Sequence, residues 1–222
     1  MILSTLNSNI YNRSISQFDD PSITNAYNTS PINFFKIMYN FLNISIPLFL
    51  MPKIIQVKLL DKTNPVGFIE LFNGDGIHNN FVLSTIPTLD AFFCYQVGGA
   101  IVTGTYDSIT NSVTLSSIPP IGTDNINIEW YDTGKFNLTL SDREENILSL
   151  LLVQCWAFKE QNFLLDIRRL LSDSDFHLGS EANSIRAKEN WYTSIRENAM
   201  QEMKNYSWNV YTDVLNQKYG LT

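Results

Sequence analysis

The residues best suited to chemistry lie in the stretch DSDFHLGSEANSIRA, residues 173–187. Asp173, Asp175 and His177 form an Asp-x-Asp-x-His string there. Carboxylates and an imidazole at this spacing could bind a metal ion or serve as acid and base groups. A usable metal site needs three or four ligands that the fold brings together, so the string alone does not establish one.

The alternative for this stretch is a tight corner between two helices. The side-chain oxygens of Ser172 and Asp173 would cap a short helical turn, and Phe176 would fill the gap between the helices. Gly179 would take a left-handed conformation, and Ser180 would cap the next helix. We favour this interpretation, in which His177 has no catalytic role and no metal or cofactor is bound.

Two further patterns resemble reactive sites but have simpler explanations. The adjacent Glu144 and Glu145 could suggest a glycosidase pair, but neighbours on a helix point about 100° apart. Ser141 with Glu144 instead has the spacing of a capping box at a helix start. The loop NGDGIHNN, residues 73–80, lacks the ligand spacing of a calcium-binding loop. It is predicted to be a hairpin turn. No catalytic constellation is visible, so the sequence predicts a protein that is not an enzyme.

Composition narrows the classes of function. The chain has 222 residues, 44% of them hydrophobic, and a net charge of −7. A net negative charge argues against a nucleic-acid-binding surface, because such a surface needs clustered Lys and Arg. Cys94 and Cys155 form no CxxC pair, which is typical of a reducing compartment without a disulfide framework. The most apolar run, residues 34–50, contains Lys36 and Pro47 and is too interrupted for a membrane span.

The chain divides into three predicted parts, of which residues 1–51 are the first. Residues 1–33 are polar and show no apolar period, so they are expected to form an extended arm without a core of its own. The apolar run that follows is expected to anchor the arm on the protein itself. The arm would then extend over a neighbouring subunit, with Phe18, Ile23 and Tyr27 as isolated apolar contacts.

The other two parts are a β-sandwich domain, residues 52–135, and a helical hairpin domain, residues 136–222. KIIQVKLLD alternates apolar and polar residues and predicts the first strand, with Ile55, Val57 and Leu59 on one face. About seven short strands at regular spacing follow a sandwich pattern. After Ser141 a long helix is expected, and then a second helix with a heptad seam through Ile185, Tyr192, Ala199 and Tyr206. The predicted fold class is therefore α+β.

Both domains resemble segments of bacteriophage proteins. Residues 152–187 are similar to a helical hairpin of tailed-phage virion proteins, in which a helix with a Trp and a Gln-Asn patch precedes an acid-Phe corner and a Ser-x-Ala-Asn helix start. The β part is similar to small phage sandwich modules. The matching residues are Trp156, Gln161, Asn162, Asp175, Phe176, Ser180, Ala182 and Asn183 in the helices, and Phe81, Leu83, Pro87, Gly98, Tyr106 and Pro119 to Ile128 in the strands.

The order of sandwich and hairpin resembles the neck, or head-to-tail connector, ring proteins of short-tailed, crAss-like phages. The resemblance implies a structural virion protein that forms a homo-oligomeric ring, often twelvefold, against the portal and other neck or tail proteins. It implies assembly in the bacterial host cytoplasm, DNA contact only by passage through the lumen, no membrane and no catalysis. The alternative is a carbohydrate- or receptor-binding module of a tail fibre or baseplate, which exposed aromatics on one sandwich face would favour. A weaker third possibility is an enzyme with an unrecognised site.

Overall fold

A computed structural model of the chain describes residues 5–18, 21–50, 53–88, 90–172 and 179–219. The side chains of residues 163–185, and of a few others inside these ranges, also lie outside the description. Helices occupy both ends of the chain, and antiparallel strands lie between them. The predicted α+β class, with antiparallel sheets and C-terminal helices, is confirmed.

Six α-helices are described. Four of them lie between the first short strand and the main β region, and two long ones follow that region. A 3-10 turn at Ile46–Leu48 connects the third helix to the fourth. None of the described helices combines the length and the apolar character that a membrane crossing requires. The helices are α1 Asn7–Ile15, α2 Pro21–Thr29, α3 Pro31–Ser45, α4 Lys53–Leu60, α5 Asp142–Ser172 and α6 Gly179–Tyr219.

Ten strands form three antiparallel sheets in the described chain. The larger two have the orders β3-β9-β5-β6 and β4-β8-β7, and a small sheet β1-β10-β2 joins the first residues to the start of the C-terminal part. The strands are β1 Thr5–Leu6, β2 Lys62–Thr63, β3 Val66–Gly74, β4 Asn80–Val82, β5 Phe92–Val97, β6 Ala100–Val102, β7 Gly104–Asp107, β8 Ser112–Leu115, β9 Gly122–Asp132 and β10 Lys135–Phe136.

One buried cluster lies between the two larger sheets. Ile126, Ile128 and Trp130 alternate along β9 and point to the same face of the four-stranded sheet. Phe81 on β4 and Val113 on β8 complete the cluster from the three-stranded sheet. The period of two in the sequence thus marks the buried face correctly, and burial of this face stabilises the pairing register.

A second, larger buried cluster is helical, and both ends of the chain contribute to it. Ile10, Tyr11 and Phe35 come from the first helices, and Leu148 and Leu151 come from α5. The two long helices run antiparallel, because Trp156 contacts Trp191 with ring centroids 5.9 Å apart while Glu144 meets Tyr206 at the other end. The predicted seam through Tyr192, Ala199 and Tyr206 does pack into this cluster.

The prediction of a strand at KIIQVKLLD is wrong, because Lys53–Leu60 forms α4. A short apolar run satisfies a period of 2 and a period of 3.6 equally well, so spacing alone does not decide. Ile55 and Leu59 are four residues apart and both are buried, as expected for one face of a helix. The first strand of the β region therefore begins at Lys62.

The prediction of an extended N-terminal arm is also wrong. Residues 7–15 and 21–29 are helical, and Thr5–Leu6 pairs with β10. Ile10 and Tyr11 are fully buried in the chain's own helical cluster. The sequence pattern failed here because α1 buries small polar residues, such as Ser14, beside only two large apolar ones. A hydrophobic period is weak in such a helix.

The turn between β9 and β10 depends on a glycine, which gives a test of the fold. Gly134 has φ of +74°, and a Cβ atom there would lie 2.4 Å from the carbonyl oxygen of Thr63. We expect Gly134→Ala to lower the free energy of unfolding by about 2–4 kcal/mol, from backbone strain and the clash together. Gly99→Ala is the control, because Gly99 also has positive φ but faces open space. Equal losses in urea denaturation of both variants would contradict this account.

Candidate functional site

The predicted corner lies outside the part of the chain that the structure describes. Asp173, Asp175, Phe176 and His177 all fall within residues 173–178, so the metal and capping interpretations of this stretch both stay predictions. The second long helix begins at Gly179. Ser180 is thus one residue inside that helix rather than directly before it, which corrects the capping position predicted for it.

The capping box at the start of α5 is confirmed. The backbone N–H of Glu144 donates to the Ser141 Oγ at 3.3 Å, and the Glu144 Oε2 accepts from the Ser141 N–H at 2.6 Å. Two donors that the first helical turn leaves without partners are satisfied in this way. The sequence spacing Ser-x-x-Glu therefore located the helix start correctly.

Glu144 also connects three helices. Its carboxylate accepts from the Lys58 Nζ of α4 at 2.7 Å and from the Tyr206 hydroxyl of α6 at 2.9 Å, and its side chain is only 3% exposed. Burial alone would raise the pKa of Glu144, but the hydrogen bonds from Lys58, Ser141 and Tyr206 outweigh burial and lower it. Glu144 is therefore a charged group that links α4, α5 and α6. The partners that the structure describes for it are residues of the same chain.

A second ion-pair set ties the first helix to α5. The Arg13 guanidinium donates to the Glu145 Oε2 at 2.9 Å and to the Asp142 Oδ1 at 2.7 Å. The first turn of α5 thus places acids near the positive end of the helix dipole and receives cations from the N-terminal helices. Glu144 and Glu145 serve packing here and are not arranged as a carboxylate pair across a cleft.

The remaining groups that could take part in chemistry either make structural hydrogen bonds or are protonated at neutral pH. The carboxylate of Asp75 accepts from the backbone N–H groups of Ile77 and His78, and its other oxygen meets the His78 Nδ1 at 2.5 Å, all within one exposed turn. Burial raises the pKa of the Cys155 thiol to about 11, so it is protonated at neutral pH. Among the described residues, no group of three His, Cys, Asp or Glu side chains could hold a metal ion.

Phe18, Ile23 and Tyr27 were predicted to contact a neighbouring subunit, but they pack on their own chain. All three lie against the helical cluster. Phe18 meets Trp156 edge to face with centroids 5.0 Å apart, and Tyr27 meets Phe34 at 5.4 Å. The structure therefore corrects this prediction, because these side chains stabilise the fold of the same chain.

Exposed apolar surface is the main unexplained feature of the helical part. A cavity of about 520 Å³ opens between α3, α5 and α6, lined by Phe41, Ile44 and Phe158 among others. The Lys159 Nζ lies 5.7 Å from the Phe41 ring centroid at this cavity. No other charged side chain lines it within the described residues.

A second cavity of about 430 Å³ lies along α6, and we call it the α6 groove. Its apolar lining includes Leu50, Met200, Trp208 and Tyr211. Trp208 is 74% exposed although it is among the most apolar side chains of the chain. Lys204 carries the only charge among the lining residues that the structure describes.

The end of the β part farthest from the helices exposes isoleucines, and we call this end the sandwich tip. Ile77 and Ile121 are 69% and 82% exposed. Ile121 lies against Gly76, where a Cβ would be 3.1 Å from its Cγ1. Asp75 and Asp124 are exposed beside these isoleucines. The tip is thus apolar at its centre and acidic at its rim.

Sequence reasoning missed the cations that hold the helices together and the apolar groove. Arg13 and Lys58 lie more than 80 residues from their acidic partners, so no local spacing could reveal the pairs. The groove did leave a signal, because Met200, Trp208 and Tyr211 recur at helical spacing on α6. The same spacing is equally typical of a helix face that packs into the core.

No protein-family model, no curated protein and no solved structure matches this chain. Its function has to be inferred from its own residues and from the surfaces that they form.

Proposed function

We propose that the chain is a structural virion protein that forms a ring in the neck of a phage, between the portal and the tail. The observation that carries the proposal is the exposed apolar surface of the helical part, formed by the α6 groove and the cavity beside Phe158. Contiguous apolar patches of this kind are rare on monomers and mark interaction surfaces. A ring subunit needs such a surface, because it has a neighbour on each side.

The fold is consistent with this role. We infer that the four-stranded and three-stranded sheets together are the seven-stranded sandwich module, and that α5 and α6 are the helical hairpin, of the phage segments that the sequence resembles. The resemblance implies a closed ring, often twelvefold, with contacts to the portal and to other neck or tail proteins. With a net charge of −7, the chain would let DNA pass through the lumen without binding it.

The alternative, a carbohydrate- or receptor-binding module of a fibre or baseplate, has less support. Sugar rings stack on exposed aromatic faces, so a glycan site on the sandwich would expose such faces. The exposed large apolar side chains of the described strands and their loops are aliphatic except for Phe68. Phe68 is 39% exposed and stacks on Trp130 at a centroid distance of 4.7 Å. The sandwich therefore lacks an aromatic platform in its described part.

Electron microscopy of particles that carry a tagged copy of this chain tests the proposal. The expected result is label at the head-to-tail junction and a ring of density there that fits the helical pair and the sheets. Label on fibres, or particles that contain no copy of the chain, would contradict a neck role. Binding of the purified chain to a glycan array would support the alternative.

A further inference from the structure

The α6 groove has a specific electrostatic character that limits what can fill it. Its walls are apolar, and Lys204 is the single charged side chain in the described lining. The chain as a whole carries a net charge of −7, so a groove whose described lining has one lysine as its only charge differs from the average surface. A complementary surface would present apolar side chains flanked by carboxylates.

The sandwich tip of the same chain has that complementary character. Ile77 and Ile121 project there, and Asp75 and Asp124 lie beside them. The tip is well ordered by hydrogen bonds, because the Asn73 Oδ1 accepts from the Asp124 N–H at 2.7 Å. A rigid apolar projection loses little conformational entropy when it docks.

The tip of one copy cannot reach the groove of the same copy. Gly122 begins β9 at the tip, and Asp132 ends it. Tyr131, one residue before that end, lies near α3, where the Lys36 Nζ is 5.7 Å from the Tyr131 ring centroid. Nine residues of strand separate Gly122 from Tyr131 by about 30 Å. The groove belongs to the helical part, at the other end of β9, so only the tip of another molecule can occupy it.

We propose that copies of this chain associate head to tail, with the sandwich tip of one copy in the α6 groove of the next. The isoleucines enter the apolar groove, and the exposed carboxylate of Asp124 lies near Lys204, while the Asp75 carboxylate stays bonded to His78 within its own turn. Such an interface joins two different surfaces, so it propagates from copy to copy and closes into a ring when the rotation between copies permits. This inference deepens the proposed function and rests on it for ring closure, but not for the contact itself.

Two variants of the full chain, each with one surface altered, test the contact. The tip variant carries Ile77→Ser and Ile121→Ser, and the groove variant carries Lys204→Glu and Trp208→Ser. All four side chains are exposed, so both variants should keep the wild-type circular dichroism spectrum and thermal transition. Each lost isoleucine contact should weaken association by about 10- to 100-fold. Analytical ultracentrifugation should therefore show wild-type oligomers and two monomeric variants.

Mixing the two variants is the decisive measurement. The tip variant keeps an intact groove, and the groove variant keeps an intact tip, so the mixture should form a 1:1 dimer that cannot grow further. An interface made by the same surface on both copies would not give this result. Ile109→Ser is the matched control, because Ile109 is 92% exposed in the turn between β7 and β8, and it should assemble like the wild type.

Three results would overturn the head-to-tail contact. The first is a wild-type chain that stays monomeric at high concentration, and the second is a tip or groove variant that still assembles. The third is a mixture that remains monomeric. If the wild type is monomeric but the groove variant is lost from particles, the groove binds a different virion protein. The neck role would then stand while the self-contact fails, whereas label away from the neck would reject the role alone.

Discussion

Deletion of residues 1–30 is expected to abolish the cooperative thermal unfolding transition of the purified chain. The deletion removes Ile10 and Tyr11, which are fully buried, and the packed side chains of Phe18, Ile23 and Tyr27. Each buried apolar side chain of this size contributes about 1.5–3 kcal/mol. The sum is comparable with the whole stability of a domain, about 5–15 kcal/mol. Scanning calorimetry of the full and shortened chains measures the effect directly.

Because a deletion removes many contacts at once, two single tyrosine substitutions serve as a milder test of the same packing. Tyr11 is fully buried, and its ring lies 5.8 Å from that of Phe35. We expect Tyr11→Ala to cost about 3–5 kcal/mol. Tyr211 is exposed on α6, so in the dissociated chain, at low protein concentration, Tyr211→Ala should change the unfolding free energy by less than about 0.5 kcal/mol. A shortened chain that melts like the full one would mean that the first helices do not belong to the core.

Lys58→Met is expected to be the most damaging single change on a charged residue. It leaves the Glu144 carboxylate buried without its cation, and breaking a buried pair from one side costs about 3–5 kcal/mol. Lys36→Met is the matched control, since Lys36 and Glu129 form a partly exposed pair at 3.0 Å that should contribute no more than about 1 kcal/mol. Urea denaturation at pH 7 compares the two variants. Equal losses of unfolding free energy in the two variants would show that the buried Glu144 carboxylate does not need the Lys58 cation.

The pH dependence of the same variant gives an independent check. In the wild type the pKa of Glu144 is lowered from its ordinary value of 4.5, so its contribution to stability is complete above 4.5 and is lost as pH falls through the folded pKa. In Lys58→Met the lowering by the Lys58 ammonium is lost, so the pKa of Glu144 should be higher than in the wild type. The difference in unfolding free energy between wild type and variant should therefore shrink as pH falls below 4.5. A constant difference from pH 7 to pH 3 would contradict the pairing.

Local patterns in the sequence predicted local structure well. The Ser141 and Glu144 spacing located the start of α5, and the heptad spacing located residues of α6 that pack into the helical cluster. The pattern of short strands located the antiparallel sheets. Each of these features depends on residues that are close along the chain. The strands and the two long helices were therefore predictable from periodicity and turn residues.

Features that depend on distant partners were not predictable. The N-terminal segment has few apolar residues, and it folds because α5 supplies the surface that buries Ile10 and Tyr11. The choice of helix for Lys53–Leu60 depends likewise on packing within the helical cluster, to which Ile55 and Leu59 belong. The surfaces proposed for assembly are separated in sequence, and in our proposal they meet only between copies. A single sequence shows the members of such pairs but not the pairing.

The long reach between Arg13 and Glu145 has a consequence for how the chain is made. The two residues are 132 positions apart. At a synthesis rate of about 5–20 residues per second, the first helices would wait roughly 7–26 s for α5 to be translated. During that time the faces of α1 and α3 that α5 will bury are exposed to solvent. The β region, which lies between α4 and α5 in the sequence, is already synthesised and free to fold. We therefore expect production of the chain to benefit from chaperones that cover its first 50 residues during synthesis.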